Sequence, residues 1–156
     1  MRLLAASDMH GYISYFKQAV LREPEAATVV FLGDGAADAQ RLSQQFTEKN
    51  FIIIKGNCDS GPFPALKVFE FAGIKILACH GHEFSVKHTL LRLKRAAAEC
   101  GAKIALYGHN HRAAVEYEDG LYLINPGAFA RPKNGCMSYA VIDIGPHGIV
   151  PVIKKI

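Results

Sequence analysis

Apolar and polar positions along this chain follow two registers, and the change between them divides it into halves. In the first half, short apolar runs alternate with amphipathic stretches. Leu3 to Ala6, Thr28 to Leu32 and Phe51 to Ile54 read as strands. Between the first two, Ile13, Phe16, Val20 and Leu21 recur close to helical spacing, and Pro24 lies just past the end, which predicts a helix over Ile13 to Glu23. Leu42 and Phe46, four apart, predict a second helix over Asp38 to Lys49. A βαβαβ order with short connections implies a parallel sheet.

After the turn-rich stretch Gly56 to Pro64 the period becomes two. Leu66, Val68 and Glu70 alternate with Lys67, Phe69 and Phe71, and Ala72-Gly73 can turn the chain into Ile74 to Cys79, a hairpin. Leu90, Leu93, Ala97 and Cys100 form one stripe of a third helix over Val86 to Cys100, with Gly101 as its stop. Ile104 to Tyr107 is a further strand. Two more hairpins follow, Ala113–Glu118 with Leu121–Ile124 around Asp119-Gly120, and Met137–Ile144 with Ile149–Ile153 around Gly145 to Gly148. This predicts a second, mostly antiparallel sheet packed on the first. The expected fold is α/β, two packed mixed β-sheets flanked by helices in a four-layer αββα sandwich, with residues 1–156 as a single domain.

Five polar clusters each follow one of these apolar runs directly. They are Asp8-Met9-His10, Gly33-Asp34-Gly35, Gly56-Asn57-Cys58-Asp59, His80-Gly81-His82 and Gly108-His109-Asn110-His111. Residues just past the carboxyl ends of parallel strands gather along one rim, where such folds place ligands. Each cluster also has a plain structural reading. Asp8 can cap a turn, Gly-Asp-Gly is a common turn, and Asn57 can close an Asx turn. Together they offer Asp8, His10, Asp34, Asn57, His80, His109 and His111. Seven donors are too many for one tetrahedral zinc but suit two cations that share a carboxylate, and nitrogen with oxygen favours manganese, iron, zinc or nickel. Asp34, with two carboxylate oxygens between flexible glycines, is able to bridge two cations. Asp59 reads as orienting backbone or an imidazole. His82-Glu83 does not open a metalloprotease helix, because residue 86 is Val. His88 and His147 stay outside the site.

Composition narrows the partners. In 156 residues, 50% hydrophobic and 21% charged content excludes disordered and fibrous classes. A formal net charge of +4 suits anionic substrates. Lys87, Arg92, Lys94 and Arg95 sit on the third predicted helix without interleaved aromatics, so they read as a solvated face and nucleic acid is not the expected partner. Cys58, Cys79, Cys100 and Cys136 form no C-x-x-C pair and read as idle thiols in a reducing compartment. With neither a leader nor a membrane-length apolar run, a cytoplasmic location is expected. Exposed strand edges leave a homo-oligomer open.

The order Asp-x-His, Gly-Asp, Gly-Asn-x-Asp, His-Gly-His, Gly-His-x-His resembles the calcineurin-like metallophosphoesterase superfamily. Its small size and Gly-Asn-Cys-Asp form resemble the compact prokaryotic phosphodiesterase branch. Asn125-Pro126-Gly127 is similar to that branch's Asn-Pro-Gly turn, so the likeness runs from Asp8 to about Arg131. The resemblance implies one metal on Asp8, His10, Asp34 and His111 and another on Asp34, Asn57, His80 and His109, manganese first among the candidates. It also implies hydrolysis of a small or nucleotide-like phosphoester by a bridging hydroxide. Larger relatives carry a His where this chain has Cys58, so either the proton comes from another group, with His82 the nearest candidate, or the leaving group departs unprotonated. Arg112 and Arg131 are candidate contacts for a substrate phosphate. Two other readings attach to the same likeness. One is a scaffold without turnover, like the small retromer subunit, and the other is a nuclease, whose larger relatives need an extra domain.

Overall fold

The computed structural model describes all 156 residues. Two five-stranded sheets lie face to face. The first runs in the order β10-β9-β1-β2-β3, with β1 at Arg2–Ala6, β2 at Ala26–Phe31, β3 at Asn50–Ile53, β9 at Ser138–Gly145 and β10 at Gly148–Lys155. The second runs β4-β5-β6-β8-β7, with β4 at Leu66–Phe71, β5 at Ile74–Cys79, β6 at Ile104–Leu106, β7 at Ala114–Glu118 and β8 at Leu121–Asn125.

Alternation along each strand explains the layers. In β1, Leu3 and Ala5 join Val30, Ile76, Ala78, Ile104 and Leu106 in a core between the sheets. Leu4 and Ala6 point the other way, onto Phe16, Ala19 and Leu42 of helices α1 (Ile13–Arg22) and α2 (Ala36–Ser43). On the far side Leu77, Cys79 and Ala105 pack on Leu93 and Ala97 of α3, Leu91–Glu99. Strands covered on both faces read as unbroken apolar runs, which is why the first half shows no period of two. The result is the expected four-layer αββα sandwich, and none of its helices is long and apolar enough to cross a membrane.

Four expectations change. The last hairpin, β9 with β10, pairs with β1 of the first sheet: Leu4 faces Val141 and Ala5 faces Ala140 in antiparallel register. The second sheet then holds two parallel pairings, β5 with β6 and β6 with β8, beside two antiparallel ones. Helix α2 begins two residues before Asp38 because the Asp59 carboxylate accepts the N–H groups of Gly35 and Ala36, at 2.8 and 2.9 Å, satisfying its first donors from outside. It ends at Ser43, and Phe46 reaches the core from the following turn. Helix α3 starts at Leu91 rather than Val86. Ser85 adopts a left-handed backbone (φ 57°), and the Thr89 hydroxyl accepts the Leu91 N–H, so the segment before Leu91 turns instead of coiling. Lys87 therefore lies in a turn and not on a helix face.

The rim at the amino ends of the parallel strands is tied by a buried carboxylate. Glu23, 2% exposed, accepts the Tyr139 hydroxyl at 3.0 Å and Lys154 Nζ at 2.6 Å. Arg2 meets it at 3.5 Å while binding Asp143 through two nitrogens at 2.9 Å. Glu23→Ala would strand the Tyr139 hydroxyl, so it is expected to lower stability by about 1–3 kcal/mol. Urea unfolding would show this as a lower midpoint with metal affinity at the far rim unchanged.

Candidate metal centre

At the carboxyl ends of β1, β2, β3, β5 and β6 the chain leaves each strand abruptly. Asp8, His10, Asp34, His109 and His111 all have positive φ, between 42° and 68°. Such backbone costs about 1–3 kcal/mol per residue and persists only where the surroundings impose it. In a regular pleat the two ends of a D-x-H or H-x-H pair share a face but stand about 7 Å apart, and leaving the pleat lets them turn to one point. Close approach of the loops requires glycine. A Cβ on Gly56 would run into Asp34 Oδ1 and the Asp34 backbone nitrogen, and one on Gly108 would meet Ser7 Oγ and Asp8 Oδ2.

Asp59 fixes the second and third loops together. One of its oxygens accepts the N–H of Asp34 at 2.7 Å and of Gly56 at 2.8 Å, and the other accepts those of Gly35 and Ala36. The Asp59 side chain thus holds backbone, as the sequence suggests, and aims Asp34 rather than an imidazole. Cys58 N–H donates to Asp34 Oδ1 at 2.9 Å, leaving Asp34 Oδ2 free.

The imidazoles are oriented the same way. His80 Nδ1 lies 2.6 Å from the Leu32 carbonyl and His111 Nδ1 lies 2.8 Å from that of Ala130. A carbonyl only accepts, so both Nδ1 atoms carry hydrogen, and each Nε2 is left to face the centre. His80 Nε2 is 3.1 Å from Asn57 Oδ1, 3.6 Å from Asp34 Oδ2 and 3.9 Å from Asp8 Oδ1. His10 Nε2 is 3.5 Å from the same Asp34 Oδ2, and His111 Nε2 is 3.3 Å from Asp8 Oδ1. His109 donates its backbone N–H to Asp8 Oδ2 at 3.0 Å, and its ring centre lies 5.0 Å from that of His80.

These atoms are nearly all acceptors, crowded where acceptors repel. Asp8 Oδ1 is buried without any hydrogen-bond donor. Sets of three donors, Asp8 with His10 and His111, and Asp8 with Asp34 and His80, have their ligand atoms within 4.8 Å of one another. An orphaned buried carboxylate oxygen amid imidazole lone pairs costs several kcal/mol unless positive charge neutralises it. The residues fit divalent cations.

Protons answer the same demand when no metal is bound. Burial pushes the His80 imidazole down, and the carboxylates of Asp34 and Asp8 more than offset it, so its pKa is raised. That of His111 is raised chiefly by its contact with Asp8. Burial and the neighbouring His80 push His109 down to about 4, so its ring is uncharged near neutral pH. Burial of Asp34 acts to raise its pKa, but hydrogen bonds from His80 and Cys58 hold it well below the usual carboxylate range.

A cavity of about 310 Å³ opens onto this cluster. Asp34, Asn57 and His109 line its wall, with Lys87, Arg131 and Lys133 among the lining residues. Arg112 belongs to a neighbouring cavity instead. His82 sits beside the cluster, ring centres 5.4 Å from His80 and 5.9 Å from His109, in a short 3-10 turn at His82–Phe84. Sequence reasoning misses Lys87, Lys133 and the role of Asn125. The apparent helical stripe hides Lys87, and nothing in the sequence marks Lys133. Asn125 does carry a signal, the Asn-Pro-Gly turn. Buried completely, it donates to the Gly108 carbonyl at 3.1 Å and to Asn110 Oδ1 at 2.9 Å, locking the turn that presents His109 and His111.

Residues 1–146 match the family model of the calcineurin-like phosphoesterase superfamily domain. A probable metallophosphoesterase of Bacillus subtilis, YsnB, is 31% identical over 147 residues, 92% of this chain and 85% of that protein. Among solved structures, an archaeal phosphodiesterase superposes with a TM-score of 0.75 at 21% identity, over 99% of this chain and all of the other. A Vps29 mutant of Entamoeba histolytica superposes at 0.77 with 18% identity, over 100% and 99% of the two chains. At those identities the last two speak for the fold.

Two outcomes follow from the site. Asp59→Asn would turn an amide donor toward two of the four N–H groups, and it is expected to weaken metal binding about 10–100-fold, measured by titration calorimetry. The second concerns pH. With folded pKa values raised above the unfolded imidazole value of about 6.5, His80 and His111 stabilise the metal-free chain below that pH and lose this contribution as pH rises through the raised values. His109 acts oppositely, between about 4 and the unfolded value, so it does not mask the decline on the alkaline side. Melting of the stripped protein should fall in temperature from pH 6.5 to 8, whereas metal affinity should rise with proton release over the same range.

Proposed function

The chain belongs to the calcineurin-like phosphoesterase superfamily, and from that premise we propose that it is a metal-dependent phosphodiesterase acting on a small or nucleotide-like phosphoester at a dinuclear centre. The observation that carries this reading is Asp34 Oδ2, faced by the Nε2 atoms of His10 and His80 at 3.5 and 3.6 Å. Two imidazoles from separate strands turned to one carboxylate oxygen suit a carboxylate placed between two cations. One ion would rest on Asp8, His10, Asp34 and His111, and the other on Asp34, Asn57, His80 and His109. The mixed nitrogen and oxygen set suits manganese first, then iron, zinc or nickel. Bound there, such a pair supplies a water activated at neutral pH and positive charge facing the phosphoryl oxygens.

The remaining work falls to side chains. Asp8 and Asp34 are the only carboxylates in the proposed donor set, and Asn57 contributes oxygen without charge. Loaded with divalent ions, the centre keeps a positive surplus that attracts a phosphate. Lys87, Arg131 and Lys133 extend that surplus to the cavity wall, which draws an anion in and holds its nonbridging oxygens. The Cys58 thiol, its pKa pushed up by burial and by Asp34, stays uncharged and is a weak proton donor. Substrates whose leaving group departs as a stable anion are therefore favoured. His82 is the proposed acid for poorer leaving groups. A cavity of about 310 Å³ suits a small ester better than a DNA duplex.

The fold likeness to Vps29 favours a second reading, a protein-interaction module without turnover. The complete donor set and the structural neighbour described as a phosphodiesterase support the enzyme. Paired chromogenic phosphate monoesters and diesters, offered to metal-stripped protein and then with Mn, Ni, Zn or Mg, decide between them. Diester hydrolysis restored by metal is expected, reduced by on the order of 10²–10³ in Asp34→Asn and altered in pH profile by His82→Ala. Folded protein that turns over nothing with any metal would leave the interaction module.

A further inference from the structure

Beside the catalytic cavity lies a second one, of about 360 Å³, and Asn110 lines both. Neighbouring residues divide between them. Lys87 and His111 line the first, while His88 and Arg112 line the second. The second is polar and holds three basic side chains, His88, Lys94 and Arg112, with Glu116 as its acid. Lys94 is committed to Glu118 at 2.5 Å. The Arg112 guanidinium makes neither an ion pair nor a hydrogen bond, although its backbone is held firmly. Its N–H donates to Asn110 Oδ1 at 2.9 Å, and the same oxygen accepts from buried Asn125. The turn that presents His111 to the centre thus fixes the next residue in the adjoining cavity, and its fork of donors is left unspent.

We propose that this second cavity is a subsite for a further phosphoryl group, so that the substrate class is a nucleotide-like phosphodiester carrying a second, terminal phosphate close to the scissile one. The inference rests on the phosphodiesterase reading and adds to it the identity of the group beside the cleaved ester. An uncommitted guanidinium pairs with two phosphate oxygens at once, which a lysine cannot do as well. His88 supplies another donor to the same group. The scissile phosphate takes the centre with Lys87, Arg131 and Lys133, and the second phosphate takes Arg112, one residue on from a proposed metal ligand. Glu116 offsets part of the charge there, so binding leans on the directed hydrogen bonds of the fork more than on net potential.

The test uses the full-length, metal-loaded protein and two substrates, the p-nitrophenyl ester of thymidine 5′-phosphate and the same ester carrying a 3′-phosphate. The expected kcat/KM ratio favours the doubly phosphorylated ester by about tenfold or more, the scale of one charge-assisted contact, mostly through KM. In Arg112→Ala, with metal content and circular dichroism unchanged, the ratio should collapse toward one, and Arg112→Lys should recover part of it. A ratio near one in the unaltered protein, or a ratio that survives Arg112→Ala, overturns the subsite and leaves the phosphodiesterase standing. Hydrolysis of neither ester with any metal removes the phosphodiesterase reading and the subsite together.

Discussion

Everything at the active rim answers one electrostatic demand: two buried carboxylates and several imidazole lone pairs are aimed at the same small volume. Burial sharpens that crowding at Asp8 Oδ1, which accepts no hydrogen bond from the chain. A proton on His80 or His111 relieves it partly. Divalent charge would relieve it further, and the arrangement of loops, turns and glycines can be understood as the scaffolding that keeps the repulsive set together.

That scaffolding is mostly backbone. Carbonyls of Leu32 and Ala130 take the Nδ1 hydrogens, the His109 N–H takes one oxygen of Asp8, and Asp59 collects four N–H groups from two loops. The Nδ1 atoms of His80 and His111 and one oxygen each of Asp8 and Asp34 are thereby occupied by backbone, which turns the opposite atom of each side chain toward the centre. The same economy produces the left-handed residues at five donor positions. Strain is concentrated at the rim of the carboxyl strand ends, while the opposite rim is bound by the satisfied network around Glu23, so the two ends of one sandwich divide stability from chemistry.

Much of this was legible in the sequence, for identifiable reasons. Continuous apolar runs revealed the central strands, and clusters at their ends named the donors that the fold brings together. Asp59 could be read as an orienting carboxylate from its place in Gly-Asn-Cys-Asp. What stayed hidden depended on tertiary partners. The Met137–Ile153 hairpin looks alike whichever sheet it joins, because a hairpin's pattern does not state its neighbour. The start of α3 was obscured by Val86 and Leu90, which continue a helical stripe although Ser85 and Thr89 break the helix. Lys87 went with that error, and its place on the cavity wall depends on the break. Arg112 and Arg131 were similar as sequence, and only the turn geometry separates them into different cavities.

The donors come from loops that follow five strands of two different sheets, spread from residue 8 to residue 111. Neither proposed ion position can be assembled from a single sheet or a single local segment. During synthesis the centre cannot close until the chain has emerged past Ala130, whose carbonyl orients His111, and the two sheets have docked. Metal capture would therefore report on assembly of the whole sandwich, and an ion held by the proposed donors would act as a clasp across the two sheets.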